Sequence, residues 1–257
     1  SRSTEEEAAT RSSRDLDAEN GTAESITTIQ LNAAGKPASE GDFGNWYYSA
    51  DSGCQLDTGV FALQPSSEPE AESALKARLF RIGDNAELVR GTVGCETNNY
   101  GTISDGIFQG KVANFRTISN GTFQREVNNY RTISGGTFQG DVDNNSGGTI
   151  SGGTFQGTVQ NDQTISGGIF QEFVSNYQTI SGGTFQGAVT NYDDGTISGG
   201  YFVTMPEGSD TGFAAVSDQN GRTFQVPVNG GFSENNYKTL YVPHGMSERQ
   251  ANPITVK

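Results

Sequence analysis

The stretch GGTISGGTFQGTVQN, residues 147–161, decides the fold. Within it each apolar residue stands between polar neighbours, in Thr-Ile-Ser, Thr-Phe-Gln and Thr-Val-Gln. Neighbouring side chains of a strand point to opposite faces, so Ile150, Phe155 and Val159 point one way and their neighbours the other. Gly-Gly, Gly and the Asn-led pair that follows separate these segments. Glycine reaches positive φ without steric cost and asparagine tolerates it. The unit therefore reads as three short strands joined by three corners.

Near-copies lie on both sides. Aligned on Thr-Ile-Ser, they begin at Thr102, Thr117, Thr132, Thr149, Thr164, Thr179 and Thr196, in steps of 15 residues with two steps of 17. A fixed short period is the signature of a solenoid. Both longer steps add two residues just after the Asn, in NNSGGTIS and NYDDGTIS, which marks that corner as solvent-facing. The expected fold is all-β: a triangular parallel β-helix of about seven 15–17-residue rungs, rising about 4.8 Å per rung. Its interior is three columns of like residues, Ile103 to Ile197, Phe108 to Phe202 and Val112 to Val189. A fourth column, Asn114 to Asn191, is expected to be an internal amide ladder.

Composition agrees with that economy. The 257 residues include 35 Gly and are only 32% hydrophobic. A layered globule with a thick core is excluded, and no apolar run approaches the length of a membrane span. The net charge of −14 disfavours nucleic acid and anionic membrane surfaces as partners. A solenoid that mimics a duplex would carry its acids in columns, and here they are scattered. The chain starts at Ser1 with no visible signal peptide and reads as mature or trimmed.

Four regions are expected. Residues 1–24 are charged and small and read as a disordered acidic tail. Residues 25–100 read as a β-rich cap with one helix near 68–80, where Ala71, Leu75 and Leu79 recur every four residues and Glu72 faces Lys76. Residues 101–205 are the repeats. Residues 206–257 read as a small C-terminal β module with strands in RTFQVPV, KTLYVP and PITVK.

The repeats, preceded by the stretch GDFGNWYYSADSGCQLDTGVFAL, resemble extracellular β-solenoid surface proteins of Gram-positive gut bacteria. The resemblance covers residues 40–205 and lacks a visible wall-anchor signal. It implies secretion and cell-surface display, with a glycan or a host surface protein as the expected partner. An extracellular setting also favours a disulfide between Cys54 and Cys95, with a pair of reduced buried thiols as the alternative.

Catalysis is not expected, nor is a cofactor or a metal. The repeat acids, among them Asp105, Glu126, Asp141, Asp143, Asp162 and Glu172, fall in different columns or rungs, and His244 stands alone. A polysaccharide-degrading enzyme, the catalytic alternative, would need them clustered. Two outer columns attract more interest. Tyr100, Phe115, Tyr130, Tyr177 and Tyr192 follow the Asn column, with Arg116 and Arg131 beside them. Aromatic faces with amides and hydroxyls suit carbohydrate; the plain structural reading is corner stacking. The other array is Thr102/Ser104, Thr117/Ser119, Thr132/Ser134, Thr149/Ser151, Thr164/Ser166, Thr179/Ser181 and Thr196/Ser198. It resembles the Thr-x-Thr face of insect ice-binding β-helices, with Ser in place of the second Thr. The expected function is a non-catalytic adhesin or binding module for carbohydrate or a host surface, with ice binding or a passive stalk as alternatives.

Overall fold

The computed structural model describes residues 25–65, 74–192, 194–203 and 206–208, and the strands Phe213–Asp218, Thr223–Pro227, Thr239–Val242 and Asn252–Val256. The described residues are all-β and contain no helix. The repeats stack as a parallel β-solenoid, like residue on like: Ile133 on Ile150, Phe138 on Phe155, Val142 on Val159. The Ile-bearing and Val-bearing strands belong to one 20-stranded sheet, and the Phe-bearing strands to a 13-stranded sheet.

The three apolar columns form the core, each member at most 1% exposed. Phe rings stack on one another at 4.7–5.0 Å, so every rung buries a large ring against its copies above and below. In-register stacking lets a chain poor in apolar residues build a continuous core. The Gly-Gly corner is required by two close approaches. Gly153 holds φ at +107°, and a Cβ on Gly152 would lie 2.3 Å from the carbonyl oxygen of Ser134.

The asparagine ladder is present and starts one rung earlier than the repeats, at Asn99. Each Nδ2 donates to the Oδ1 of the next rung's Asn at 2.7–2.8 Å, from Asn99 to Asn191. Most Nδ2 groups also reach corner carbonyls, as Asn114 does to that of Thr132 at 3.0 Å. The buried corner carbonyls thus find donors.

The solenoid runs to about 9 turns, more than the seven repeats suggest. Residues 25–100 add longer rungs to the same stack. Gly53–Gln64 pairs in parallel with Ile26–Gln30 on one side and Phe80–Arg90 on the other. Phe80–Ile82 then pairs with Thr97–Asn99, and Glu87–Leu88 with Thr102–Ile103.

The helix expected near 68–80 is corrected over its described part. Ala74–Leu75 is a strand paired with Thr92–Val93, and Phe80 opens the next long strand. Leu75, fully buried, seats on Val93 in the stack; its four-residue spacing from Leu79 is incidental to that. Tertiary pairing outweighs weak local helix propensity here. Residues 66–73, the expected tail at 1–24 and His244 lie outside the described residues. The three C-terminal strands expected from sequence are present: Thr223–Pro227 and Asn252–Val256 pair antiparallel with Phe213–Asp218, and Thr239–Val242 pairs antiparallel with Asn252–Val256.

Candidate functional site

Each rung turns a corner immediately after its buried Asn, and the next side chain must point outward. That places Tyr100, Phe115, Tyr130, Asn145, Asp162, Tyr177 and Tyr192 in one outer column. The backbone fixes it: the N–H of Phe115, Tyr130, Asn145, Asp162, Tyr177 and Tyr192 each donates to the Asn carbonyl of the rung below at 2.8–2.9 Å. Phe115, Tyr130 and Tyr177 remain 37%, 39% and 38% exposed.

The rings stack into two groups. Tyr100, Phe115 and Tyr130 follow one another at 4.7 and 5.0 Å, and Tyr177 lies 4.5 Å from Tyr192. Asn145 and Asp162 separate the groups. Below the first group the Arg81 guanidinium sits over the Tyr100 ring at 4.2 Å, a cation–π contact. Arg116 donates to the backbone carbonyl of Asp84. Arg131 is exposed beside Tyr130. The two arginines singled out from sequence therefore differ, one engaged with the protein and one presented to solvent.

Acids gather around the break itself, in the rungs of Tyr130, Asn145 and Asp162. Asp143 has its carboxyl pushed above the ordinary range, first by burial and then by the charges of Glu126, Asp162 and Asp141. Glu126 is pulled down by hydrogen bonds from Asn128 and Lys111, the latter at 3.3 Å. Among the described residues no group of three or more His, Cys, Asp or Glu is placed to hold a metal ion.

The Thr/Ser face is less uniform than its sequence suggests. Thr102, Thr117, Thr132, Thr149, Thr164, Thr179 and Thr196 are all half-buried. Ser119, Ser134, Ser151, Ser166 and Ser181 are exposed. Their hydroxyls donate to the Ile carbonyl of the rung below at 3.2–3.5 Å, turning their protons into the backbone. Ser104 and Ser198, expected as the two ends of the same exposed array, are corrected: both are half-buried. Ser104 packs against the longer rung before the repeats, and its hydroxyl donates to the Glu87 carboxylate instead of a backbone carbonyl. Glu87 is itself buried, so this end of the face is closed by a side chain the repeats do not carry. Ser198 lies on the last Thr-Ile-Ser rung, its N–H bonded to the Ile180 carbonyl at 2.8 Å. The exposed serine column thus spans five rungs and not seven.

Cys54 and Cys95 are free thiols, the reduced alternative and not the favoured disulfide. Burial, then the Cys95 charge, pushes the Cys54 thiol up to about 12.

The Gly-Gly corners align into a groove of about 460 Å³ along the solenoid, which sequence reading missed. It is lined by Gly136, Gly153, Gly168, Thr154 and Ile169, with Tyr201 where the repeat has Thr. The repeated Gly-Gly was its signal, but glycine spacing does not reveal concavity. The chain matches no protein-family model, no curated protein and no solved structure.

Proposed function

We propose that this chain is a non-catalytic, secreted or cell-surface β-solenoid that binds carbohydrate through its aromatic corner. The observation that carries the reading is the exposure of Phe115, Tyr130 and Tyr177 at more than a third of their surface, on backbone locked rung to rung. Large aromatics exposed in a row are unusual for side chains with no partner. Holding them rigidly lowers the ordering cost of binding. Amides, hydroxyls and a free guanidinium border the rings, which suits a ligand with apolar C–H faces and many hydroxyls. A glycan-array screen of the chain beside its Tyr130→Ala variant tests the reading. Binding lost in a folded variant supports it. Silence across the array would sink it and favour a stalk, a protein-binding adhesin or an ice-binding face.

A further inference from the structure

Carbohydrate packs its C–H groups on the face of an aromatic ring, and most faces in this column are already occupied. Phe115 has Tyr100 on one face and Tyr130 on the other. Tyr100 has Phe115 and the Arg81 guanidinium. Tyr177 has Tyr192 on one side. Within the column, faces are left over at the break: the side of Tyr130 towards Asn145 and the side of Tyr177 towards Asp162.

The two residues of the break are shorter than a tyrosine, and both are held back. Asn145 donates its Nδ2 to the Asp143 carbonyl at 3.1 Å, and Gln160 donates its Nε2 to the Asp162 carboxylate at 3.1–3.2 Å. Each is tethered to the Val-bearing strand it follows. The ring stack is therefore interrupted for two rungs between Tyr130 and Tyr177, a recess in the column bordered by Asn145, Asp162 and the exposed Ser146 and Gly147 of the inserted corner. Tyr130 to Tyr177 is three rung steps, about 14 Å at about 4.8 Å per step. With one ligand ring seated on each face at about 3.7 Å, about 7 Å separates the two ligand rings. One sugar cannot touch both platforms; two or more linked sugars can.

Charge narrows the class. Asp143 and Asp162 border the recess, with Glu126 and Asp141 close enough to act on Asp143. Arg131 is the exposed cation at its lower end. The local balance is negative, which repels carboxylated sugars and leaves carboxylate and amide oxygens to accept sugar hydroxyls.

We infer that the break between Tyr130 and Tyr177 is the binding subsite, and that it takes a neutral oligosaccharide of at least two pyranose units in preference to a uronic-acid chain. This rests on the carbohydrate reading above and adds the place, the minimum length and the charge class.

The test is to fill the break. The Asn145→Tyr/Asp162→Tyr variant restores the repeat's own residue at both positions and completes the ring column, so its melting temperature should match or exceed the parent's. Both proteins are titrated calorimetrically with neutral β-linked hexose oligomers of one to six units and with oligogalacturonates of the same lengths. The expected result is parent binding that strengthens at least tenfold between one unit and two or three. Oligogalacturonate should bind at least tenfold more weakly, and the folded filled variant should lose binding. Equal binding by parent and filled variant would overturn the subsite while leaving the carbohydrate reading standing. Preference for oligogalacturonate would overturn the charge class. No binding of any oligomer by the parent overturns the inference; the Tyr130→Ala array comparison then shows whether the carbohydrate reading falls with it.

Discussion

Asn129 donates from Nδ2 to the Oδ1 of Asn144 at 2.8 Å, and Asn144 hands the same bond to Asn161 at 2.7 Å. All three are fully buried. The ladder joins rungs through side chains and also serves corner carbonyls, with Asn144 reaching those of Gly148 and Thr164. Removing a middle member harms both neighbours. Asn144→Ala leaves the Asn161 Oδ1 without its donor from below and deprives Asn129 of an acceptor. The expected cost is about 2–4 kcal/mol, because buried groups left unpaired carry their full desolvation penalty. Urea unfolding should show a lower midpoint with an unchanged slope.

The opposite change is expected at the foot of the valine column. Thr97 stacks under Val112 as an inward residue and is fully buried. Its Oγ1 has no hydrogen-bond partner. Thr97→Val keeps the shape, removes the stranded hydroxyl and continues the column. It should stabilise the chain by about 1 kcal/mol, read as a raised melting temperature. No gain would mean that the hydroxyl finds a partner in solution.

The same position shows how much of the fold the sequence carried. From Thr102 onward each column repeats a residue type, so fold, core and ladder were readable from spacing. Before Thr92 the rungs are longer and not copies. Gly53–Gln64 pairs with Phe80–Arg90 through two register shifts, near Leu56/Thr58 and Phe61/Ala62, which erase any fixed period. The rung at Thr97–Asn99 was nearly legible: Thr-Asn-Asn-Tyr at 97–100 differs from Val-Asn-Asn-Tyr at 127–130 only in Thr for Val. Leu75 was misread because a four-residue spacing occurs by chance in a stretch whose true partner, Val93, is distant in sequence. Ser104 was misread for a related reason: its partner Glu87 lies in a rung that does not follow the period. For the candidate site, the sequence supplied the aromatic column and its interruption. Which ring faces stay open follows only from ring-on-ring stacking and from the tethering of Asn145 and Asp162.

The cysteines give a chemical test. Cys54 is buried, with its thiol pushed up to about 12, and burial also raises that of Cys95. The thiolate is the reactive form, so neither thiol should react appreciably with a maleimide at pH 7 in the native protein. In denaturant, without reductant, two thiols should titrate. A count of zero there would establish the disulfide that the extracellular resemblance favours.

The acidic face predicts a pH dependence of defined sign. Asp143 has its carboxyl raised above its ordinary 3.8, chiefly by burial and then by Glu126, Asp162 and Asp141. The folded state therefore holds this proton to higher pH than the unfolded chain does, and stability falls as pH rises from 3.8 through the folded value. Asp143→Asn removes that loss. It should match the parent near pH 3 and exceed it at pH 7 by up to about 0.5 kcal/mol, the scale of surface substitutions. Glu126 has the reverse sign. Its carboxyl lies below its ordinary 4.5 because Asn128 and Lys111 hydrogen-bond to it. Its contribution is present above 4.5 and is lost as pH falls through the folded value. Melting curves of parent and Asp143→Asn from about pH 3 to about pH 8 should therefore separate as pH rises, and by less in a background that already carries Glu126→Gln. A constant gap across that range would show that Asp143 acts through packing and not through its charge.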